Sequence, residues 1–394
     1  MPFQTKALPP IVVGIDFGTT ATGVSFAKPT IFPSGTRYLA PGVYKNWPSE
    51  RSVGKIPSRI AYPDENSDRG MAVTDSPAWG SAVRPGMHAY TWTKLLLDAT
   101  APITPYDDKD ALLVAGVLGV FRTSPRPAEC AVADYLRNIY QYIPRILNVN
   151  PDYFREAGFY SRPQDHVQYM TESEAAVWAA VQDPNLRIQP YEGVLVCDIG
   201  GGTLDVAAFT VINHANPETW RRTIPVQAVD IRFHQLMADR FGEVFLSIDQ
   251  SLKGPGSYFS KDFEQNKRAF THQERRSDPM RLTMNVATSE RYKAGKVFVT
   301  HADLKACFKP VVERIEIFVE TQLESARQAC DLQISKIVLV GGLAESLYVQ
   351  SEMQSHFRRR GIDVIVPAEP RLAVARGAAF HGIFNRSNRP LAGN

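Results

Sequence analysis

Two glycine-rich turns, each preceded by an aspartate, are the parts of this sequence best suited to chemistry. Asp16 is followed by Gly-Thr-Thr at residues 18–20, and Asp198 by Gly-Gly-Gly-Thr at residues 200–203. Glycine adopts positive φ and lets backbone N–H groups approach a ligand closely, so such a turn suits phosphate oxygens. The aspartate offers a hard oxygen to Mg²⁺ or to its waters. These residue types predict a polyphosphate site with a divalent cation.

One such turn is weak support, because glycine-rich hairpin turns are also common structural features. Here the pattern recurs: residues 11–27 and 194–212 both contain an apolar run, an Asp, a glycine-rich turn with Thr and a second apolar run. A third turn, Gly341 and Gly342, links a strand pattern to a helix pattern, and the positive end of a helix also suits phosphate. The alternative at this third turn is a strand-to-helix connection that merely needs glycine.

Other phosphate-binding motifs are disfavoured. The sequence contains no GxxxxGK[ST], which argues against a Walker-type NTPase. The three glycines at residues 200–202 precede a strand pattern and lack GxGxxG spacing, which argues against a dinucleotide-binding Rossmann unit.

The composition is that of a globular protein of 394 residues. Its formal charge of +3 is smaller than that expected of a dedicated nucleic-acid binder. No nucleic-acid partner is therefore expected. The four cysteines form no CxxC pair and no zinc-ligand spacing, which is typical of reduced thiols. The longest apolar stretch, residues 111–121, is shorter than the roughly 20 residues of a membrane span, and residues 1–10 do not resemble a secretory signal. We expect a cytoplasmic protein without a membrane span.

The elements that position the turns follow from hydrophobic periodicity. Residues after the glycines alternate in both repeats, so each repeat is predicted to be a β-hairpin. The duplication predicts an α/β protein with two similar lobes, whose hairpin turns face each other across a cleft.

Further elements are predicted from the same patterns. Amphipathic helices are expected over residues 302–331 and 131–147, the latter bent or ended by Pro144. A buried strand is expected over residues 336–340, followed by a helix with Leu347, Met353 and Phe357, and residues 29–85 are expected to form loops with short strands such as 59–62.

Three motifs carry a family resemblance: GIDFGTTATG at residues 14–23, CDIGGGTLDV at 197–206 and IVLVGGLAES at 337–346. In this order they resemble the two phosphate motifs and the adenosine motif of the actin, sugar-kinase and heat-shock ATPase superfamily. Within it, the chain is most similar to the heat-shock-protein-70 family, particularly its divergent branch without the usual peptide-binding domain. The resemblance spans residues 11–384; further matching segments are residues 57–62, 92–98, 133–140, 171–176 and 373–379. It implies two actin-like ATPase lobes, a duplicated ribonuclease H-like fold, around a nucleotide cleft.

The resemblance implies a role for each matching residue. Those that would wrap the β- and γ-phosphates of ATP or ADP are Gly18, Thr19, Thr20, Gly200, Gly201, Gly202 and Thr203. Asp16 and Asp198 would hold hydrated Mg²⁺, and Asp198 also counts among the catalytic residues. Glu172 would position the attacking water, and Lys94 would stabilise charge developing at the γ-phosphate. Those around the adenosine would be Glu264, Lys267, Arg268, Thr271, Gly341 and Gly342.

Each charged residue has an alternative explanation. Glu172 can simply cap a helix that begins at Glu174, and Lys94 can be a solvated lysine on an amphipathic helix. Glu264, Lys267 and Arg268 share one helix face by their spacing, which also describes an ordinary solvated, salt-bridged face.

Several departures from the family pattern count against full activity. Residues 148–170 look shortened, and residues 226–233 lack the glycine turn that the family places there. Glu345 is an acid where the main chaperone branch has a basic residue. The run 111–121 has no counterpart, and the tail after residue 385 leads us to expect no peptide-binding domain.

The predicted organisation is an N-terminal lobe (1–190), a C-terminal lobe with the adenosine-binding subdomain (191–385) and a tail (386–394). The predicted function is an ATP-binding, slowly ATP-hydrolysing, chaperone-related nucleotide switch with an unidentified protein partner. The alternatives are a catalytically dead nucleotide-binding interaction module and a small-molecule kinase of the same superfamily.

Overall fold

The described part of the chain covers nearly all of the predicted motifs. The computed structural model describes residues 11–32, 35–48, 50–51, 53–67, 76–84, 86–97, 126–147, 166–200, 203–211, 218–225, 229–254 and 256–387. The turn glycines Gly201 and Gly202, the apolar run 111–121 and most of the segment 148–170 lie outside these residues.

Strands occur in both halves of the chain. In chain order they are β1 (Val12–Phe17), β2 (Ala21–Ala27), β3 (Pro29–Phe32), β4 (Gly35–Tyr38), β5 (Gly42–Val43), β6 (Asn46–Trp47), β7 (Glu50–Arg51), β8 (Lys55–Pro57), β9 (Arg59–Ala61), β10 (Ala78–Trp79), β11 (Tyr90–Thr91), β12 (Gly193–Ile199), β13 (Thr203–Thr210), β14 (Glu218–Pro225), β15 (Met280–Arg281), β16 (Tyr292–Lys293), β17 (Lys296–Val297), β18 (Ile334–Val340) and β19 (Asp363–Ile365).

Helices also occur in both halves of the chain. They are α1 (Ala128–Leu147), α2 (Glu172–Val181), α3 (Val229–Phe241), α4 (Glu243–Leu246), α5 (Gln250–Lys253), α6 (Tyr258–Ala269), α7 (His301–Cys330), α8 (Leu347–Arg358) and α9 (Ala373–Ser387). The long helix predicted at residues 302–331 is confirmed as α7, which opens with a capping box between Thr300 and Asp303.

Pro144 does not end α1, which continues to Leu147. A proline removes one helical hydrogen bond, and tertiary packing can offset that loss. The apolar face of α1 supplies the packing, because Tyr135, Ile139 and Ile143 are buried in one cluster with Val24 of the first hairpin.

Both predicted hairpins are confirmed. Strands β1 and β2 pair antiparallel, and β5 and β8 both pair with β2. Strands β12 and β13 also pair antiparallel, within a five-stranded sheet of order β14-β13-β12-β18-β19. In that sheet β18 runs parallel to both β12 and β19. The chain is thus a mixed α/β protein.

The five-stranded sheet is covered by helices on both faces. Side chains alternate across a strand, and in β12 Leu195 and Cys197 join an apolar cluster with residues of α3, α7 and α8. Val194 and Val196 point the other way and join a cluster with residues of α2 and α9. Because β12 is buried from end to end, the aspartate near its carboxyl end is held by a rigid element.

Helix α9 joins the two halves of the chain by close backbone packing. A Cβ at Gly377 would lie 1.6 Å from the carbonyl oxygen of Ala175 in α2, and one at Gly14 in β1 would lie 2.5 Å from that of Ala375 in α9. Helix α9 therefore fixes β1 and α2 relative to each other, and these elements carry Asp16 and Glu172.

Candidate functional site

The first hairpin presents Asp16 at the turn predicted to bind phosphate. Asp16 and Thr19 are buried, whereas Thr20 is exposed. The turn is anchored to the neighbouring segment because Ser58 N donates to the Thr20 carbonyl oxygen at 2.9 Å. Asp16 Oδ2 lies 2.6 Å from Lys55 Nζ, an ion pair with side-chain exposures of 3% and 13%.

The second hairpin presents two carboxylates. Asp198 lies opposite Asp205 in the register of β12 and β13, and both residues are buried. Gly200 N donates to the Thr203 carbonyl oxygen at 2.9 Å, which closes the turn. Gly201 and Gly202, between these two residues, lie outside the described part.

Glu172 and Lys94 form an ion pair with each other. The alternative explanation of Glu172 as a helix cap is wrong: α2 begins at Glu172 itself, and Thr171 is its N-cap, accepting from Glu174 N. Lys94 does not lie on an amphipathic helix but in a 3₁₀ turn, Thr93–Leu96. Both side chains are only partly exposed, at 32% for Lys94 and 26% for Glu172.

These groups interact electrostatically, and together we call them the acidic site: Asp16, Lys55, Lys94, Glu172, Asp198 and Asp205. Burial and the neighbouring carboxylates of Glu172, Asp16 and Asp205 raise the pKa of Asp198 well above its ordinary value. Burial also raises the pKa of Glu172, assisted by Asp16 and Asp205 and opposed by Lys94. The site holds more carboxylates than ammonium groups, so a bound cation would relieve the repulsion.

Lys94 is held as a cation. Burial lowers its pKa, but the carboxylates of Glu172, Asp16 and Asp205 outweigh burial, and the pKa of Lys94 lies above its ordinary value. A lysine fixed in this state can stabilise negative charge on a phosphoryl group.

The donor set fits a hydrated Mg²⁺ ion better than a directly chelated one. Within the described residues, no three Asp, Glu, His or Cys side chains are placed to hold a metal ion. Mg²⁺ usually keeps several waters and binds through one or two carboxylates and substrate phosphates. The two buried carboxylates of Asp198 and Asp205 fit this mode of Mg²⁺ binding.

The turn at Gly341 and Gly342 differs from the prediction. It does not open directly onto a helix: a 3₁₀ turn, Leu343–Glu345, intervenes, and α8 begins at Leu347 with Ser346 as its N-cap. The positive end of α8 is therefore not at the two glycines. The reason is local, because the Ser346 side chain accepts from Val349 N and starts the helix later.

The two glycines serve different purposes. Gly341 has φ +92°, and a Cβ there would lie 2.3 Å from Asp198 Oδ1, so the fold itself requires glycine. Gly342 has φ −68°, and a Cβ there would meet no atom of the described residues within 4 Å. The space beside Gly342 is therefore open to a ligand next to the acidic site.

The predicted adenosine residues on α6 do converge. Glu264 is ion-paired with Lys267 at 2.5 Å and with Arg268 at 2.9 Å. Lys267 also pairs with Asp230 of α3 at 2.8 Å. Burial lowers the pKa of Lys267, but Asp230 and Glu264 outweigh it and the pKa is raised. These contacts suit both a nucleoside clamp and the alternative of a salt-bridged face.

Thr271 lies beyond the end of α6. Its hydroxyl accepts from Gln273 N at 3.2 Å, and its carbonyl oxygen lies 2.9 Å from His301 Nε2. A concavity of about 20 Å³ adjoins Thr271 and His301. That volume suits a water molecule, so an adenine ring would have to lie outside it.

Two predicted departures from the family pattern have structural outcomes. Residues 229–233 form the start of α3, and residues 226–228 lie outside the described part. Glu345 Oε2 lies 3.7 Å from Arg371 Nη1, so the carboxylate forms an ion pair with a neighbouring guanidinium.

Three site residues were missed by sequence reasoning. Asp205 could have been found from the repeat. It is a second acidic residue seven positions after Asp198, at the position that Gly23 occupies after Asp16. Lys55 and Asp230 had no such signal: each reaches its partner through contacts between segments that are distant in sequence.

The described fold and site define a mixed α/β protein in which two similar hairpins supply three carboxylates of the acidic site, and neighbouring segments supply Lys55, Lys94 and Glu172. The family model described as Hsp70 protein matches residues 186–389, a little over half of the chain. The chain therefore belongs to the Hsp70 family, as a divergent member, and membership implies an actin-like ATPase fold.

Similar proteins agree with this assignment. Chaperone protein DnaK of Thermoplasma volcanium is 24% identical over 383 residues, covering 94% of this chain and 58% of that protein. Human Heat shock 70 kDa protein 12B is 25% identical over 262 residues, covering 58% of this chain and 36% of that protein. The chain thus spans less than two thirds of the length of these relatives.

Across the residues that the structure describes, no helix is both long enough and apolar enough to cross a bilayer.

Proposed function

We propose that this chain binds ATP and ADP with Mg²⁺ between two actin-like lobes, hydrolyses ATP slowly and works as a nucleotide-dependent switch. The observation that carries the proposal is the acidic site. Its carboxylates and lysines come from five separate segments, and gathering charges away from water in this way costs folding free energy. Clusters of ionisable groups with shifted pKa values are typical of binding and catalytic sites.

The proposed roles follow from position and charge. The turns at residues 18–20 and 200–203 hold the phosphates, and Lys94 stabilises charge on the transferred group. The Glu172 carboxylate orients the attacking water as soon as a phosphate draws Lys94 away from it. When bound, Mg²⁺ would neutralise the polyphosphate charge, and the carboxylates of the second hairpin would hold its waters.

The nucleoside is assigned to the α6 side of the site. Glu264, Lys267 and Arg268 lie on one helix face. The ligand would also occupy the open space beside Gly342. The lobes are assigned as residues 1–190 and 191–385. We further propose that, as in the divergent branch the motifs resemble, the switch acts through a separate protein partner and not through a peptide-binding domain.

A second candidate is a nucleotide-binding module without turnover. The ion pair between Lys94 and Glu172 favours it, because each of the two groups needed for hydrolysis neutralises the other. This ion pair must open in an active enzyme.

Calorimetric titration with ATP and ADP, with and without Mg²⁺, separates these functions when combined with single-turnover hydrolysis. Tight Mg²⁺-dependent binding with turnover above the uncatalysed rate supports the switch. Tight binding without turnover supports the module. Absence of binding to either nucleotide overturns both.

A further inference from the structure

The two hairpins are equivalent in register but differ in charge. Asp16 is opposite Gly23 across β1 and β2, and Asp198 is opposite Asp205 across β12 and β13. The second hairpin therefore offers a pair of carboxylates, while the first offers one carboxylate facing a glycine.

The place left by the missing side chain is filled by Lys55. Strand β8 pairs with β2 so that Lys55 is opposite Gly23. A Cβ at Gly23 would lie 3.3 Å from Lys55 Cγ and 3.4 Å from Lys55 Cε, so the lysine chain runs across the glycine. Its ammonium then reaches Asp16 Oδ2 at 2.6 Å.

This arrangement places an ammonium group from β8 against the first hairpin. We propose that Lys55 is the built-in counter-cation of Asp16, so that a divalent cation accompanying the nucleotide is held by Asp198 and Asp205 and not by Asp16. The inference deepens the proposed function and rests on it for the nucleotide, but Lys55 excludes metal from Asp16 whether nucleotide is present or not.

The surroundings support an exclusion role. Lys55 and Asp16 are almost entirely shielded from solvent, with side-chain exposures of 13% and 3%. The rest of the acidic site contains three carboxylates and one lysine, and this excess of acidic groups attracts cations. Without the ammonium, the Asp16 carboxylate would be a buried, unpaired anion open to a metal ion.

Manganese binding tests the proposal, because Mn²⁺ replaces Mg²⁺ and free Mn²⁺ is measured by electron paramagnetic resonance. Mn²⁺ is titrated into the full chain, alone and with ADP. The variants are Lys55→Gln, Lys55→Arg and the double variant Lys55→Gln with Asp16→Asn. Lys45→Gln is the matched control, since Lys45 pairs with Glu369 at the same 2.6 Å but on the surface.

The wild type with ADP should bind about one Mn²⁺ per chain, and Lys55→Gln about two. Lys55→Arg keeps the positive charge, and the double variant removes the new ligand, so both should return to the wild-type stoichiometry. Lys45→Gln should also match the wild type. Should Lys55→Gln fail to fold, Lys55→Thr suits the strand and leaves the same space.

An unchanged stoichiometry in folded Lys55→Gln or Lys55→Thr overturns the proposal, as does a second Mn²⁺ in the wild type. Failure of the proposed function looks different. ADP then binds to no variant, while Mn²⁺ alone still distinguishes Lys55→Gln from the wild type.

Discussion

Asp198 and Asp205 lie directly opposite each other on the antiparallel strands β12 and β13, both buried at the end of one hairpin. Two like charges in this arrangement repel, and little water is present to screen them. Burial, followed by the charges of Glu172, Asp16 and Asp205, accordingly raises the pKa of Asp198. We therefore expect these like charges to cost stability when no cation is bound.

Replacing Asp205 by Asn should stabilise the nucleotide-free protein. The shape is kept and one repelling charge is lost, so we expect the free energy of unfolding at neutral pH to rise by about 1 kcal/mol, the equivalent of somewhat less than one pKa unit. Urea unfolding of the wild type and the variant across the acidic range measures this difference.

The sign of the pH dependence follows from the raised pKa of Asp198. Its contribution to stability is fully present below the unfolded-state value and is lost as pH rises through the folded-state value. The gain in Asp205→Asn should thus be largest above the raised pKa and shrink as pH falls through it. Asp239→Asn, on the exposed face of α3, should show no such pH-dependent gain, and a gain independent of pH would contradict the argument.

The sequence was sufficient for the hairpins and helices because their patterns are local. Alternation after each aspartate specified β2 and β13, and three-to-four spacing specified α7 almost to the residue. The delayed start of α8 was missed because the cap at Ser346 prevailed over the glycines before it. The capping serine is a local signal that marks where the helix begins.

The charge partners were beyond local reasoning. Lys55 meets Asp16 through the pairing of β8 with β2, and Asp230 meets Lys267 through the packing of α3 on α6. Neither contact has a periodicity that a single sequence can show. The site was therefore predicted in its phosphate turns and not in the groups that set its electrostatics.

Gly342→Val should abolish ATP binding without unfolding the protein. The backbone at Gly342 suits any residue, and a Cβ there meets no atom within 4 Å in the part of the chain that the structure describes. The branched side chain would, however, fill the space assigned to the nucleotide. Calorimetric titration and thermal melting measure ATP affinity and stability.

Gly341→Val is the contrasting variant. Gly341 has positive φ, and a Cβ there would lie 2.3 Å from Asp198 Oδ1, so the substitution should cost about 3 kcal/mol of stability. Retained ATP affinity in folded Gly342→Val would place the nucleotide elsewhere.

Arg268→Ala should weaken binding of ATP and ADP by about tenfold each, the size of one lost polar contact of about 1.4 kcal/mol. Arg268 is half exposed and paired with Glu264, so the change should leave the fold intact. Single-turnover hydrolysis at saturating ATP should barely change, because the adenosine is held equally in the ground and transition states. Arg327→Ala removes a similar helix-surface pair with Glu324 and should leave both affinities unchanged. Equal effects of the two variants would show that α6 is an ordinary charged surface.

Glu172→Gln should separate hydrolysis from binding. The amide keeps the size of the side chain but loses the charge that orients water, and only groups that act more strongly on the transition state change the chemical step. ATP should therefore still bind, while single-turnover hydrolysis falls by about 10²-fold, typical of losing one acid–base or positioning group.

The control for that variant is Glu174→Gln, the same change in the first turn of the same helix α2. Its hydrolysis rate should match the wild type. The substitution keeps the Glu174 backbone N–H that the cap at Thr171 uses, and it leaves the pair between Lys94 and Glu172 in place. Loss of ATP affinity in Glu172→Gln would assign Glu172 to binding. Equal turnover in both variants and the wild type would instead remove Glu172 from the chemical step, and a wild type that binds Mg²⁺-ATP tightly without turnover would leave the nucleotide-binding module as the function.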